Sequence, residues 1–526
     1  MGSKLVRRAV LFFAAAVLTL SLVGAASAAT YVVLYKAQGV PADGGANIRA
    51  AGGTVVASYA QIGVLVAESS SPTFRDALMR DNRIAGVSST EGFAMKLHED
   101  TADAEGPSEG DLPNSPATDT DTFTPLQWDM RQIHTPEAHA ITGGSPAVLV
   151  GDIDTGIDFD HPDLVANIDV ANSVNCITGA PVPGVAAQDD NGHGTHTAGT
   201  IAAASNGVGI VGVAPNVKIA GIKSGNADGY FFPEAVICGF IWAATHGMDV
   251  TNNSYFADPW EYNCRNDTVQ RAIWKAEQRA ILYAEQQGVT VVAAEGNDSD
   301  DTAHPTTDVT SPDDPPGAAG ERTITNACVI VPVEVPGVIG VSATGSLAQG
   351  TNAGQYADHL KSFYSSYGVG VTQLAAPGGD SLFGTPPFTG TAGRVLSAWP
   401  TEVTANCLAS RRRFDPAAPG FLWCYQQGTS MASPHVAGVA ALIISRFGDG
   451  STPQNGKMRP NQVKAMLDQT ADPQACPEVF PTGYLTITGV NSGLEQSCQG
   501  GAGYNSWYGN GEVDAFNAIT HSSGNN

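Results

Sequence analysis

The sequence predicts an α/β fold: a large three-layer α/β/α domain on a mostly parallel sheet, preceded by a small α+β domain. In the long C-terminal part, near-continuous apolar runs alternate with helical stretches, which is typical of strands buried on both faces. The runs cover 148–153, 217–222, 289–294 and 338–341, and the helical stretches cover 195–204, 234–246 and 268–287. The N-terminal part has shorter runs that alternate within residues 30–95, so we expect a separate small domain there.

The first 29 residues have the three parts of a secretory signal peptide. They contain a basic start with Lys4, Arg7 and Arg8, an apolar run over 9–26, and the small residues Ala26, Ser27 and Ala28. A membrane anchor is the alternative, but the run is short for a membrane span and small or polar residues interrupt it. We therefore expect cleavage after Ala28 or Ala29 and a secreted, extracellular protein without stable membrane association.

Residues 30–95 contain no cysteine and alternate between strand and helix patterns. Strands are expected over 31–35, 54–57, 63–67 and 84–87, and helical stretches end near 51 and run over 71–81. This alternation predicts a small α+β sandwich.

A linker separates the two domains. Residues 97–123 hold eight acidic residues and neither Lys nor Arg, which predicts a solvated segment. We assign 96–123 as an acidic linker with a processing site and 124–526 as the large domain. The formal net charge of -25 argues against nucleic acid or an anionic membrane as a partner. We expect a monomer.

A serine stands where a buried helix begins. Gly428, Thr429 and Ser430 shortly precede the apolar run 436–444, which can only be a buried helix. A hydroxyl at this end meets the positive end of the helix dipole and unpaired N–H groups that can receive an oxyanion. Serine alone is a weak nucleophile, so this interpretation requires a base and an orienting carboxylate elsewhere in the chain.

Two further motifs supply these groups. His193 lies in a glycine-rich helix start, and Asp154 lies where the strand 148–153 ends. Asp152 is the nearest rival to Asp154, because side chains two apart share a strand face. His193 and His196 could form half of a metal site, but a third ligand and the H-E-x-x-H pattern are absent, so we expect no catalytic metal.

The three motifs, in the order Asp, His, Ser, resemble the catalytic segments of the subtilisin-like serine proteases (peptidase S8). The resemblance extends from Thr124 to about Thr520. It implies a serine endopeptidase that cleaves proteins or peptides through Asp154, His193 and Ser430. The alternative, from a different functional class, is a catalytically silent binding or adhesive protein with the same fold.

The same resemblance implies further site residues. Asn297 matches the family's oxyanion-hole amide, and Ser254, Tyr255 and Phe256 match the strand that pairs with substrate. Phe256 stands where a glycine is usual, so we expect a narrowed or reshaped specificity pocket. Glu295 replaces the usual small residue and is expected to bring a charge close to the cleft.

Two regions have roles that the resemblance suggests. Residues 30–95 look like the inhibitor-type propeptide of a zymogen, which assists folding, blocks the cleft and is then removed. A structural Ca²⁺ is implied at a loop that resembles the family's calcium site. Calcium takes six to eight oxygens, and the expected ligands are Asp163, Ala204, Asn206, Val208 and Ile210.

Eight cysteines, all in the large domain, predict disulfide bonds in a secreted chain. Eight cysteines allow 105 pairings. We expect Cys407–Cys424 and Cys476–Cys498, because each pair closes one local loop.

Overall fold

The computed structural model describes residues 28–90, 120–256, 260–309, 320–346, 359–384, 386–449 and 455–522. The expected signal peptide up to residue 27 and most of the expected acidic linker lie outside the described residues. Within the described ranges, no helix is long and apolar enough to cross a membrane.

The N-terminal domain is a four-stranded antiparallel sheet with two short helices. Its elements are β1 (Ala29–Tyr35), α1 (Gly44–Ala50), β2 (Thr54–Tyr59), β3 (Val64–Ser69), α2 (Phe74–Leu78) and β4 (Ile84–Ser89). The strand order is β2-β3-β1-β4. Ile48 and Phe74, one on each helix, pack with Val33 and Leu65 in a small core. The structure therefore has the expected α+β elements, although the helix expected over 71–81 is only five residues long.

The large domain contains the remaining elements. In chain order they are α3 (Trp128–Gln132), α4 (Thr135–His139), β5 (Leu149–Asp154), β6 (Val174–Asn175), β7 (Val182–Pro183), α5 (His193–Ala202), β8 (Lys218–Lys223), α6 (Pro233–Thr245), β9 (Val250–Asn253), β10 (Asn263–Cys264), α7 (Gln270–Gln286), β11 (Thr290–Ala294), β12 (Thr307–Val309), β13 (Glu321–Thr323), β14 (Cys328–Val329), β15 (Ile339–Thr344), β16 (Thr372–Pro377), β17 (Val395–Trp399), β18 (Arg412–Arg413), β19 (Leu422–Gln426), α8 (Thr429–Phe447), α9 (Pro460–Thr470), β20 (Gly500–Gly501), β21 (Tyr504–Asn505) and α10 (Ala515–Thr520).

The described residues form a central sheet of eight strands in the order β16-β15-β11-β9-β5-β8-β6-β7. Every neighbouring pair is parallel except β6 and β7. The next two large strands after β5 lie on opposite sides of it, β8 on one and β9 on the other. The direction of winding therefore changes at β5, and such a switch opens a crevice at the carboxyl ends of the strands.

Helices cover both faces of this sheet, as the three-layer prediction requires. Val150 and Val292 pack with α5 and α8 in one apolar core. Leu149, Val291 and Ala293 pack with α6 and α7 in the other. Neighbouring residues of one strand thus face opposite cores, which explains why these strands are apolar at nearly every position.

The N-terminal domain docks on α6 and α7. Val32 and Val66 of its sheet belong to the same apolar core as Ile273 of α7. Ser88 Oγ donates a hydrogen bond to Val269 O at 2.8 Å, just before α7 begins, and Arg279 Nη1 donates to Tyr35 O at 2.7 Å. The two domains therefore share both apolar packing and directed hydrogen bonds.

Four disulfide bonds connect the eight cysteines. They are Cys176–Cys238, Cys264–Cys328, Cys407–Cys424 and Cys476–Cys498, so both expected local pairs form. Residues 381–426, which extend the chain just before α8, include a small antiparallel sheet of β17, β19 and β18. This sheet packs against α5 and buries Trp399 and Trp423.

Candidate active site

Asp154 and His193 meet at the switch point of the sheet. Asp154 is the last residue of β5, His193 is the first residue of α5, and both are buried. His193 Nδ1 lies 2.8 Å from Asp154 Oδ1 and 3.0 Å from Oδ2. A neutral imidazole that donates Nδ1–H to this carboxylate has its lone pair on Nε2, so the pair is oriented for proton acceptance at Nε2.

A second aspartate, whose role the sequence analysis missed, builds the start of α5. Asp189 Oδ1 accepts hydrogen bonds from Asn191 N, Gly192 N and Thr155 Oγ1, and Oδ2 accepts from Thr195 N and Oγ1. These contacts satisfy N–H groups that a helix start leaves unpaired, and the negative charge favours this end of the helix. An aspartate a few residues before a helix start is a capping signal, so the sequence contained the information.

Gly192 is required by the packing beside His193. Its φ is 109°, in the left-handed region, and a Cβ there would collide with the ring of Trp399. A side chain at this position would displace either the small sheet of β17, β19 and β18 or the start of α5.

Ser430 lies in the first turn of α8. Its Oγ donates to Ser254 O at 3.2 Å, and Ser254 Oγ donates to Ser430 O at 2.9 Å. This reciprocal contact fixes the start of α8 against the segment that follows β9. Ser430 is thus held at the crevice beyond the carboxyl ends of β5 and β9.

Asn297 contacts the residue before Ser430. Its Oδ1 accepts hydrogen bonds from Thr429 N at 2.9 Å and from Thr429 Oγ1 at 3.1 Å. Thr429 Oγ1 in turn accepts from Gly296 N at 3.1 Å. The amide oxygen is thus occupied by Thr429, while a Cβ placed on Gly428 would stand 3.7 Å from Nδ2, so this donor lies beside the start of α8. The structure brings Asp154, His193, Ser430 and Asn297 to the same end of the sheet.

Asp152 has a different role from the orienting carboxylate considered above. Its Oδ1 accepts from Asn252 Nδ2 at 2.9 Å and its Oδ2 accepts from Thr197 Oγ1 at 2.7 Å. Asn252 Oδ1 accepts from Ser433 Oγ of α8 at 2.7 Å. Burial, followed by the charge of Asp154, raises the pKa of Asp152 well above its ordinary value. Asp152 therefore links the helices that carry His193 and Ser430 to the sheet.

The three residues expected to pair with substrate have mostly buried side chains. Ser254 and Tyr255 are buried, and Tyr255 stacks on Phe231 with ring centroids 4.4 Å apart. Phe256 is half-buried and packs against the core of α6 and α7. The side chains of Ser254 and Tyr255 therefore hold the segment in place.

Glu295 does not bring an exposed charge to the cleft. It is fully buried, and its oxygens accept hydrogen bonds from Thr372 Oγ1 at 2.8 and 2.7 Å. Burial raises the pKa of this carboxyl well above its ordinary value. The expectation of a charge at the cleft, which came from comparing this position with the family pattern, was wrong because this side chain points into the protein.

The expected calcium ligands fit an ion only in part. Asp163 is buried with Oδ1 unpartnered, but its Oδ2 accepts from Trp423 Nε1 at 2.7 Å and from Ile210 N at 3.0 Å. Asn206 Oδ1 accepts from Val208 N at 3.0 Å, so it would have to turn to coordinate an ion. Burial raises the pKa of Asp163 to about 8, and the charges of Asp121 and Asp415 contribute.

His196 does not form a metal site with His193. It is fully buried in α5, and its Nε2 lies 3.2 Å from Val395 O and 3.1 Å from Cys424 O. Within the part of the chain that the structure describes, no group of three His, Cys, Asp or Glu side chains could hold a metal ion. His196 therefore serves to pack α5 against the small sheet of β17, β19 and β18.

Comparisons with known proteins found one family and several similar proteins. The model of the subtilase family (peptidase S8) matches residues 145–511. The chain is 29% identical to fervidolysin of Fervidobacterium pennivorans over 62% of this chain and 37% of that protein. It is 30% identical to subtilisin BL of Lederbergia lenta over 60% of this chain and 84% of that protein.

One solved structure similar to this chain is the epidermin leader peptide processing serine protease of Staphylococcus aureus. The TM-score is 0.63 at 21% identity, and the match covers 94% of this chain and 98% of that one. At this identity the likeness shows the fold alone.

Proposed function

Because the chain belongs to the subtilase family of serine peptidases, we propose that it is a secreted endopeptidase that uses Asp154, His193 and Ser430 as its catalytic triad. The observation that carries the proposal is the 2.8 Å contact between His193 Nδ1 and Asp154 Oδ1, at the end of the sheet where α8 begins with Thr429 and Ser430. Peptide bonds in proteins or peptides are the substrates.

The residues act in a definite order. His193 Nε2 takes the proton of Ser430 Oγ as the oxygen attacks the substrate carbonyl, and the charge of Asp154 stabilises the imidazolium that forms. The tetrahedral oxyanion is received by the Ser430 N–H at the start of α8 and by Asn297 Nδ2. His193 then returns the proton to the leaving amine, which leaves an acyl-enzyme on Ser430 that water hydrolyses.

We further propose that the chain is made as a zymogen and that its N-terminal domain is a propeptide that inhibits the enzyme until the enzyme itself removes it. The docking of this domain on α6 and α7 supports the proposal. Thr90, at the end of the described part of the domain, donates to Glu234 Oε1 at 3.1 Å, beside the first turn of α6. The four disulfide bonds support secretion.

A structural calcium ion at the loop 204–210 is a separate proposal. The buried, unpartnered Asp163 Oδ1 and the nearby charges of Asp121 and Asp415 support it. Asp163 and the loop would hold the ion, which would stabilise the folded enzyme and take no part in the reaction. No catalytic metal is proposed.

A serine-directed phosphonate tests the triad. We expect one equivalent of label on Ser430, and no label and no peptide hydrolysis in a folded Ser430→Ala variant. In the well-studied subtilisin example, removing the nucleophile lowered kcat by about 10⁶-fold. Ser497→Ala, at an exposed serine of the same domain, is the matched control and should react normally. A wild-type protein that takes up no label would instead be a silent binding protein.

A further inference from the structure

A buried carboxylate that the proposed reaction does not use lies beside the oxyanion amide. Glu261 is 4% exposed, and its Oε2 accepts a hydrogen bond from Asn491 Nδ2 at 2.6 Å. Its Oε1 has no hydrogen-bond partner. A Cβ placed on Gly296 would stand 3.0 Å from this oxygen. The unpartnered oxygen therefore faces the residue next to Asn297.

This carboxylate lies in a strongly negative region. Burial raises the pKa of Glu261 well above its ordinary value, and the charges of Asp298, Asp300 and Asp308 raise it further. Asp308 is paired with Arg322 Nη2 at 2.7 Å. Among the described residues, no cationic side chain is paired with Glu261. A charged carboxylate that is buried among other negative charges destabilises the folded state unless it is protonated or pairs with a cation.

The position of Glu261 relative to the cleft indicates what that cation is. Ser430 and Asn297 together fix where the scissile carbonyl lies, so the side chain of that substrate residue must enter between the segments that follow β9 and β11. Phe256 belongs to the first segment and Gly296 to the second. The ring of Phe256 is half-buried in the first segment, and the unpartnered Oε1 of Glu261 faces Gly296 of the second segment.

We propose that Glu261 binds the ammonium or guanidinium group of a lysine or arginine that contributes the scissile carbonyl. This inference rests on the proposed function, because it names the substrate class of the same site. A long aliphatic stem can carry a terminal cation to a buried carboxylate, where the two charges pair. A metal ion is less suited, because the described residues contain no group of three ligating side chains.

The surroundings hold Glu261 in place. Asn491 donates to Glu261 through its side chain, and its own N–H donates to Asp300 Oδ2 at 3.0 Å. The Cys476–Cys498 disulfide closes the loop that contains Asn491. A carboxylate fixed in this way loses little freedom when it binds a cation, which favours affinity and selectivity.

The sequence offers a substrate of this class within the chain. Between Arg83 and Arg131, Lys96 is the one Lys or Arg residue, and it stands at the start of the acidic linker. A cut after Lys96 would release the N-terminal domain, so the proposed preference and the proposed self-processing are compatible.

The test compares peptide p-nitroanilides that differ only in the last residue, which is Lys, Arg, Phe or Ala. We expect the active wild-type enzyme to have the highest kcat/KM for Lys and Arg. Glu261→Gln keeps the acceptor for Asn491 and removes the charge, so it should lower the ratio of kcat/KM for Lys to that for Phe by about 100-fold. In Asp300→Asn, whose carboxylate is already occupied by Asn491 and Ser492, the ratio should fall by less than tenfold.

Benzamidine provides a second measurement that needs no variant. As a competitive cationic inhibitor of the wild-type enzyme it should bind in the same crevice, whereas benzamide, which is neutral, should not inhibit. A wild-type enzyme that prefers Phe or Ala and ignores benzamidine would overturn the proposal while leaving the endopeptidase intact. If the Glu261→Gln enzyme keeps its preference for Lys but no longer responds to added Ca²⁺, the proposal is overturned and Glu261 belongs to a metal-cation site. Failure of phosphonate labelling would instead refute the proposed function.

Discussion

Asp152 Oδ1 accepts a 2.9 Å hydrogen bond from Asn252 Nδ2, which joins the central strand β5 to its neighbour β9 two residues before Asp154. The two side chains continue this contact to both helices of the site, Asp152 to Thr197 of α5 and Asn252 to Ser433 of α8. The buried network therefore couples the positions of His193 and Ser430 through the sheet.

We expect Asp152→Ala to destabilise the protein and to slow turnover. It removes the acceptor that two buried donors share, so Asn252 Nδ2 keeps only Ser254 Oγ at 3.2 Å and Thr197 Oγ1 keeps Gly194 O at 3.0 Å. We expect a cost of about 1 kcal/mol for each lost hydrogen bond. Asp152→Asn retains one acceptor oxygen and should recover much of both losses. Denaturant unfolding and kcat measured at saturating substrate check this. If Asp152→Ala unfolds at a lower denaturant concentration but keeps its full kcat, the network stabilises the fold and does not affect turnover.

Asp189→Asn should lower kcat more than it raises KM. The substitution removes one of two acceptor oxygens that hold the first turn of α5, so His193 loses its fixed orientation toward Asp154. We expect a loss of about 10-fold or more in kcat, since small misplacements of reacting groups are costly. Steady-state kinetics check it, and Asp190→Asn is the matched control, because Asp190 contacts Lys223 at 2.5 Å and not the helix start.

The sequence was sufficient to locate the strand ends and helix starts that carry the proposed site. Asp154, His193 and Ser430 each stand at the end of a strand or the start of a helix, and the local pattern indicates such boundaries. The predicted strands 148–153 and 289–294 differ from β5 and β11 by a single residue at one or both ends. Apolar runs and capping residues act over a few positions, so the element boundaries they set can be predicted from the local sequence.

The sequence was insufficient for contacts between distant segments. Asn491 holds Glu261 across 230 positions, and Asn252 holds Asp152 across 100. The charge of Glu295 was expected at the cleft, yet its carboxylate accepts a hydrogen bond from Thr372, 77 positions away. A carboxylate in a chain does not show which face of the sheet its side chain will enter, so these roles require the packed structure.

Calcium should lengthen the half-life of the active enzyme on warming, with little effect on kcat. An ion bound only by the folded state adds about 2.7 kcal/mol of stability at 100 times its Kd. Inactivation rates with Ca²⁺ and with a chelator measure this. Asp163→Asn keeps an acceptor for Trp423 but removes the charge, so calcium should no longer protect it. Equal wild-type half-lives in both conditions would contradict the site.

Two buried carboxylates lack a cationic partner among the described residues: Glu234, which contacts Thr90 of the N-terminal domain, and Glu277, which feels the charge of Glu234. Glu277 of α7 is fully buried, and neither of its oxygens has a hydrogen-bond partner. Burial and then the charge of Glu234 raise the pKa of Glu277 to about 8. Burial raises the pKa of Glu234 to about 7, although its hydrogen bond with Thr90 opposes the shift.

These shifts predict that Glu277 and Glu234 lower the stability of the full-length chain as the pH rises from about 5 to about 8. Both carboxyls have pKa values in the folded chain above the ordinary 4.5, so the folded state holds more protons in this window and deprotonation on raising the pH favours unfolding. Glu277→Gln removes one titrating group. We expect it to reduce the loss of unfolding free energy between about pH 5 and about pH 8 by roughly 3 to 6 kcal/mol at most. The measurement is the thermal midpoint against pH in the Ser430→Ala background, which prevents self-digestion. Glu137→Gln, at an exposed position of α4, is the control and should leave the slope unchanged. If Glu277→Gln also leaves the slope unchanged, Glu277 ionises without cost in the folded chain, and the packing of the N-terminal domain on α7 must admit water.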